Sequence, residues 1–308
     1  MANEQLAIPA ERAIPATTSN VRGMAAVLIG ATALGFSAIF VRWAEAGGAT
    51  PITVGFYRML FALPGAFLLA WRSGGLGAPV GRRWGFLAGV AFFLDLGSWH
   101  FAMNYTTVAN ATFILCGLSP IWVALFSVLV LGRRYRWLGW LGQVVGLGGA
   151  LILALARGAR GGSGVGEVIA IAGSFCYAAF TLTLARSRQT LTAPQALFWM
   201  VAGCLAGFLI AGLVTAQPFA GYDQRAWISL LALSLVVQLF GWWLNSWGLG
   251  HVDAAAGALA LQAQQVATLF LAAWLLAEPI RALGLTGGAL LVTGIVLVTF
   301  GSASPSER

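Results

Sequence analysis

The stretch that decides the fold is Ser98–Ile152, SWHFAMNYTTVANATFILCGLSPIWVALFSVLVLGRRYRWLGWLGQVVGLGGALI. It holds the end of one apolar segment and two complete further ones. A short polar break and a knot of Arg133, Arg134 and Arg136 separate them. A degraded copy runs from Trp242 to Val296, about 144 residues later. A chain that repeats an apolar hairpin in this way is predicted to consist of two related halves.

Working outward, the composition names the solvent. Of 308 residues, 59% are hydrophobic and only 8% charged, and the mean hydropathy is +0.86. Soluble domains carry about 25% charged residues, so this chain cannot cover a water-facing surface and is read as an integral membrane protein. All 17 basic residues are Arg, giving a net charge of +8. They fall in short breaks between apolar runs, the pattern of membrane anchors and not of a nucleic-acid interface. Cys116, Cys176 and Cys204 lie inside apolar runs without metal-ligand spacing and read as small buried side chains. The first 22 residues are largely polar, lack a signal-peptide core and read as a disordered cytoplasmic lead-in.

A helix needs about 20 apolar residues to cross the hydrocarbon core. Ten runs qualify: Met24–Trp43, Ile52–Trp71, Trp84–Tyr105, Val108–Leu131, Trp137–Ala156, Val165–Ala185, Pro194–Thr215, Ala226–Leu249, Ala254–Ala277 and Ala282–Gly301. Each is long and continuous, which implies helices and not barrel strands. Placing the N-terminus inside puts eleven Arg on the cytoplasmic side, and Arg42, Arg157, Arg160, Arg225 and Arg281 outside. Arg58 lies within a helix. This bias predicts that both termini are cytoplasmic.

The repeat runs through all five helix pairs at a nearly steady offset. At 143, Gly23, Gly30 and Pro51 match Gly166, Gly173 and Pro194. At 144, Trp99, Val108 and Ala111 match Trp243, Val252 and Ala255. At 145, Leu138, Gly139, Gly142 and Gly149 match Leu283, Gly284, Gly287 and Gly294. Five is an odd number, so the second half must enter the membrane upside down. The predicted fold is therefore all-α, ten transmembrane helices as two five-helix inverted repeats, with a substrate site near the midplane. The expected units are 1–22 as lead-in, 23–157 and 164–301 as the repeats, and 302–308 as a cytoplasmic tail.

These residues resemble the EamA-type branch of the drug/metabolite transporter superfamily over about 22–301. Three local features carry the likeness besides the topology. They are Arg58 in GFYRMLFALPGAFLL, the AMNYTTVANATFI crossing followed by Pro120 in LSPIWVALF, and Ala277–Pro279 before a Gly-rich final helix. Arg133 stands where the family usually has an acidic residue, while its second-half equivalent, Glu278, is present. Gln264 stands where the first half has Pro120, so the halves need not bend alike. The resemblance implies export or exchange of small metabolites, amino acids among them. It also implies that helices five and ten form a scaffold while the other eight surround the cavity. Gly139, Gly142, Gly146, Gly149, Gly284, Gly287 and Gly288 supply smooth faces for that packing.

Polar groups at bilayer depth are costly and mark candidate sites. Gln238, Trp242 and Asn245 sit at i, i+4 and i+7, one face of a helix. Ser98 is the repeat partner of Trp242 and lies on a stripe with Asp95 and Tyr105. Gln262, Gln265 and Tyr177 complete the proposed substrate-binding set. Neutral amides, hydroxyls and rings suit a small polar molecule with an apolar body; the competing reading is hydrogen bonding between helices. Arg58 and Asp95 are the formal charges well inside helices, about 10 Å and 15 Å from the outer surface at 1.5 Å per residue. A structural ion pair between them is expected; a protonatable coupling role stays open for Asp95. His100 points away from Ser98 and reads as a satisfied packing histidine, with a proton relay as the alternative.

An intramembrane transferase would need clustered carboxylates with a metal, or a nucleophile with a base. The nine acidic residues form no such cluster, and there is no HExxH motif. The chain is thus read as a non-enzyme without cofactor or metal, with the bilayer and a small-molecule substrate as partners and no nucleic acid. A membrane scaffold is the third reading. Nothing in the sequence sets an oligomeric state.

Overall fold

The structure is a computed structural model that describes residues 21–102, 105, 108–129, 136–156, 164–252, 254–276 and 282–301. All described secondary structure is helical, because a chain this apolar must satisfy its backbone groups within each segment. Helix α1 (Val21–Gly35) and α2 (Ser37–Ala46) follow one another through a break at Phe36. Then come α3 (Pro51–Arg72), α4 (Pro79–Ala102), α5 (Val108–Leu129), α6 (Trp137–Ala156), α7 (Val165–Ser187) and α8 (Ala193–Val214). Next, α9 (Gln224–Ala232) passes into a π-helical segment, Leu233–Gly241, and on into α10 (Trp242–Leu249). A turn at Gln262 separates α11 (Ala254–Leu261) from α12 (Ala263–Leu276), and α13 (Ala282–Gly301) ends the described chain. Among the described residues, seven helices are long and apolar enough to cross a membrane, with shorter apolar helices at Trp137–Ile152 and Ala282–Val298.

The helices begin where the local chemistry allows. Thr50 accepts from the Thr53 backbone N–H, its own N–H reaches Thr53 Oγ1 at 2.9 Å, and Pro51 follows at the first helical position. Asp223 Oδ1 accepts from the Ala226 N–H at 2.7 Å. Helix α4 starts five residues before the apolar run that announces it, taking Arg82 and Arg83 into its first turns. Charged residues at the interface do not stop a helix; they only stop it being apolar. Helices α3 and α5 run unbroken through Pro64 and Pro120, whereas the second-half counterpart of α5 is interrupted at Gln262. Residues 1–20 of the lead-in, the Arg133–Arg134 pair, the Ala277–Pro279 motif with Glu278, and the tail lie outside the described residues, while Val21 and Arg22, expected in the lead-in, begin α1. Most of the crossing from α4 to α5 also lies outside the described residues.

Packing pairs the two halves helix by helix. Helix α6 lies along α13, α4 between α7 and α8, α3 against α8, and α5 against α7 and α11. Helix α1 lies against α10, α11 and α12, and α3 against the π segment. Exchanging each of the ten sequence runs for its counterpart five runs away leaves this pattern unchanged. Glycines show it at atomic scale. A Cβ on Gly142 would stand 2.8 Å from Gly294 O, and one on Gly149 would stand 2.6 Å from Gly287 O. These are repeat partners meeting crosswise. Gly30 faces Asn245 on α10, as its match Gly173 faces Ser98 on α4.

Loops tie both ends of the bundle. At one, the Tyr57 hydroxyl donates to Phe219 O and that of Tyr222 to Pro218 O. Trp227 closes on Tyr57 and Tyr222, with ring centroids at 5.0 and 5.3 Å. At the other, Gln195 Nε2 donates to Gly75 O at 3.1 Å and Trp199 Nε1 to Leu76 O at 3.0 Å. Arg188, just past α7, donates from Nε to Ser246 O at 2.9 Å and from Nη1 to Leu191 O. Its cation thus caps the end of α10, where carbonyls have no helical partner. Burial pulls its pKa down to about 10, so it stays charged near neutrality.

Candidate substrate site

Five spans converge where the π segment meets α10. A π turn shifts the phase of every residue after it, and here it brings Gln238 and Trp242 onto α3, α4 and α7. Arg58 Nε donates to Gln238 Oε1 at 2.8 Å, and Nη1 reaches Ser37 Oγ at 3.4 Å, at the break between α1 and α2. The guanidinium also lies over the Phe92 ring, 5.8 Å from its centroid. Phe92 stacks on Phe180 at 4.7 Å, and Trp242 stands edge-on to both at 5.1 and 5.0 Å. Tyr177 flanks Phe180 at 5.8 Å. An arginine, an amide and an aromatic wall therefore share one buried place.

The site is closed to the surroundings: Gln238 is 0% exposed, Trp242 2% and Arg58 6%. Among the described residues, several polar atoms in or near it have no hydrogen-bond partner: Gln238 Nε2, Trp242 Nε1 and, one turn past Phe92, Asp95 Oδ1. Buried polar groups in proteins are nearly always paired, so a group of orphans at one place calls for an explanation.

Arg58 and Asp95 do not form the expected ion pair. The guanidinium is directed across to Gln238 in the other half, and Asp95 keeps an unpartnered oxygen. The guanidinium lies over the Phe92 ring instead. His100 is half-buried with its ring 5.0 Å from Trp99, and its buried Nδ1 has no partner among the described residues. Ser98 packs on Gly173 in the α4–α7 contact. Asn245 turns toward Gly30 of α1, with both side-chain polar atoms unpartnered. Gln265 Nε2 donates to Gln262 Oε1 at 2.7 Å beside the break between α11 and α12. The structure thus gathers Gln238, Trp242, Tyr177 and Arg58, and places Ser98, Asn245 and the Gln262–Gln265 pair on neighbouring helix contacts.

Sequence reasoning missed Phe92, Phe180 and Ser37. The two Phe are unremarkable members of apolar runs, and Ser37 matters only because the first span breaks there. No sequence signal announces the π segment.

The chain matches the EamA-like transporter family twice, over residues 21–155 and 164–300. It belongs to that family. The double match covers nearly all of the described chain, and the two stretches correspond to the halves that the packing exchanges. An uncharacterized transporter of Archaeoglobus fulgidus is 27% identical to this EamA-family chain, over 81% of it and 88% of the relative. The uncharacterized transporter sll1319 of Synechocystis is 27% identical over 93% and 96%. The uncharacterized transporter YwfM of Bacillus subtilis is 23% identical over 84% and 87%. A crystal structure of a protein 20% identical superposes with a TM-score of 0.74, over 90% of this chain and 97% of its own. That likeness concerns the fold alone. The EamA-family chain is a multi-pass membrane protein of transporter type.

Proposed function

We propose that this protein is a secondary transporter that moves a small polar metabolite, an amino acid or a similar compound, across the cytoplasmic membrane. Export is the direction favoured, by alternating access between two five-helix inverted repeats, 23–157 and 164–301, with both termini in the cytoplasm. The reading carries no catalytic step and needs no cofactor. One observation supports it most: Gln238 and Trp242 present unpartnered polar atoms beside an aromatic wall, inside the contact between the halves. A polar molecule with an apolar body would satisfy both. The closed site requires rocking of one half against the other for entry and release, and the near-symmetric packing offers two equivalent ways to rock.

The test compares metabolites released by cells expressing the wild-type chain with those released by cells expressing Trp242→Ala at equal folded protein. A set of compounds whose release falls in the variant is expected. If the wild-type chain changes the release of no compound relative to empty cells, the exporter reading fails.

A further inference from the structure

Arg58 is a cation buried at bilayer depth, where charge is costly. A cation at bilayer depth is held in proteins by an anion or by several carbonyls. Arg58 has no carboxylate in contact among the described residues: its acceptors are one neutral amide oxygen at 2.8 Å and one hydroxyl at 3.4 Å, and the buried Asp95 carboxyl acts on it only from beyond ion-pair distance. No acceptor for Nη2 exists among the described residues, although a guanidinium carries five N–H donors in a fork suited to a carboxylate. The partner it does have is itself half-used, since Gln238 Nε2 is buried and unpartnered. Gln238 sits within the π segment, whose extra residue per turn lets the helix reset its register at small cost.

We infer that Arg58 is the anchor for a negatively charged group of the substrate, and that Gln238 occupies the anchor while the site is empty. The substrate class is then a carboxylate with an apolar body. The charged oxygens take the guanidinium fork, and the body lies against Phe92, Phe180 and Trp242. Gln238 Oε1 yields its place on Nε, and its Nε2 gains an acceptor in the same carboxylate. Exchange of a neutral acceptor for a charged one strengthens the bond, which is the differential affinity needed to shift a conformational equilibrium. Because the displaced residue belongs to the π segment, occupancy of Arg58 is felt by α10 and by the loop contact that Arg188 makes with its end. This assignment names the substrate class of the site under the transport reading and rests on it.

The test uses purified full-length protein in detergent and four matched probes: 3-phenylpropionate, L-phenylalanine, L-phenylalaninamide and 2-phenylethylamine. Thermal unfolding is followed for wild type, Arg58→Gln and Gln238→Glu. The last variant places a carboxylate on Arg58 permanently, so the site should be self-occupied in a protein at least as stable as wild type. The expected result is a rise in midpoint for wild type with the two carboxylates and not with the amide or amine. Half-effect concentrations should be ~10-fold or more higher in both variants, the range expected for one charge-assisted hydrogen bond. An equal response to the uncharged-acid analogues, a response retained in Gln238→Glu, or no response to any probe would overturn the assignment. In each of those cases release of metabolites that depends on Trp242 would still stand, so failure here is distinguishable from failure of the transport reading.

Discussion

Replacing Gly142 by Ala tests whether the contact between α6 and α13 is scaffold. A methyl at Gly142 would lie 2.6 Å from the Val298 backbone nitrogen and 2.8 Å from Gly294 O. Neither atom can rotate aside, since both belong to the backbone of α13. Moving from 2.6 Å to the 3.4 Å at which ordinary contact begins requires the helices to part by about 0.8 Å. A gap of that size forfeits about a quarter to a half of the dispersion energy of the atoms that face it. Between membrane helices packing is the main attraction, so the cost should be about 1–3 kcal/mol, as for overpacked cores. That is ~5- to 160-fold in the folded population. Gly148→Ala is the control, because nothing lies within 4 Å of a Cβ there, and the better helix propensity of Ala should leave it neutral or slightly stabilised. The assay is thermal unfolding in detergent, together with metabolite release normalised to folded protein. Gly142→Ala should lower the midpoint without lowering normalised release. An unchanged midpoint, or an equal loss in Gly148→Ala, would refute the reasoning.

Asp95→Asn addresses coupling: where Asp95 carries a coupling proton, wild-type flux in liposomes responds to a pH gradient and the variant's does not. A gradient response kept by the variant would rule out Asp95 as the coupling group. Ala216 has φ of 48°, a left-handed conformation that costs an L residue about 1 kcal/mol; Ala216→Gly should match or exceed wild-type stability and Ala216→Val fall below it, measured by thermal midpoint. Gln195→Ala removes the acceptor at 3.0 Å for the Thr192 N–H and the donor to Gly75 O. It should cost about 1–2 kcal/mol and speed tryptic cleavage at Arg72 or Arg82; an unchanged cleavage rate would show that this loop contact is not held by Gln195.

Membrane character and helical class were legible from composition and run length, because a bilayer demands both and leaves few alternatives. The ten apolar runs foretold the described helices to within a few residues, the largest shift being the early start of α4 at Pro79. The glycine matches, read as smooth faces, turned out to be the points of crosswise backbone contact. The site was legible only in part. Gln238 and Trp242 stood out because amides and indoles are rare at depth, yet their neighbours Phe92 and Phe180 resemble any apolar residue. Arg58 and Asp95 attracted each other on charge alone, and the structure gives Arg58 to Gln238 instead.

What the sequence determined by itself is what local chemistry and solvent dictate: helices, their approximate extents, and the relation between two halves written in repeated glycines. Partner choice was decided by tertiary structure. Gln238 meets Arg58 across 180 positions of chain, and Asn245 turns to α1 while Trp242 turns to α4 and α7. Those directions depend on a π turn and on packing between halves. Both arise from contacts summed over many residues, which no single stretch of sequence encodes.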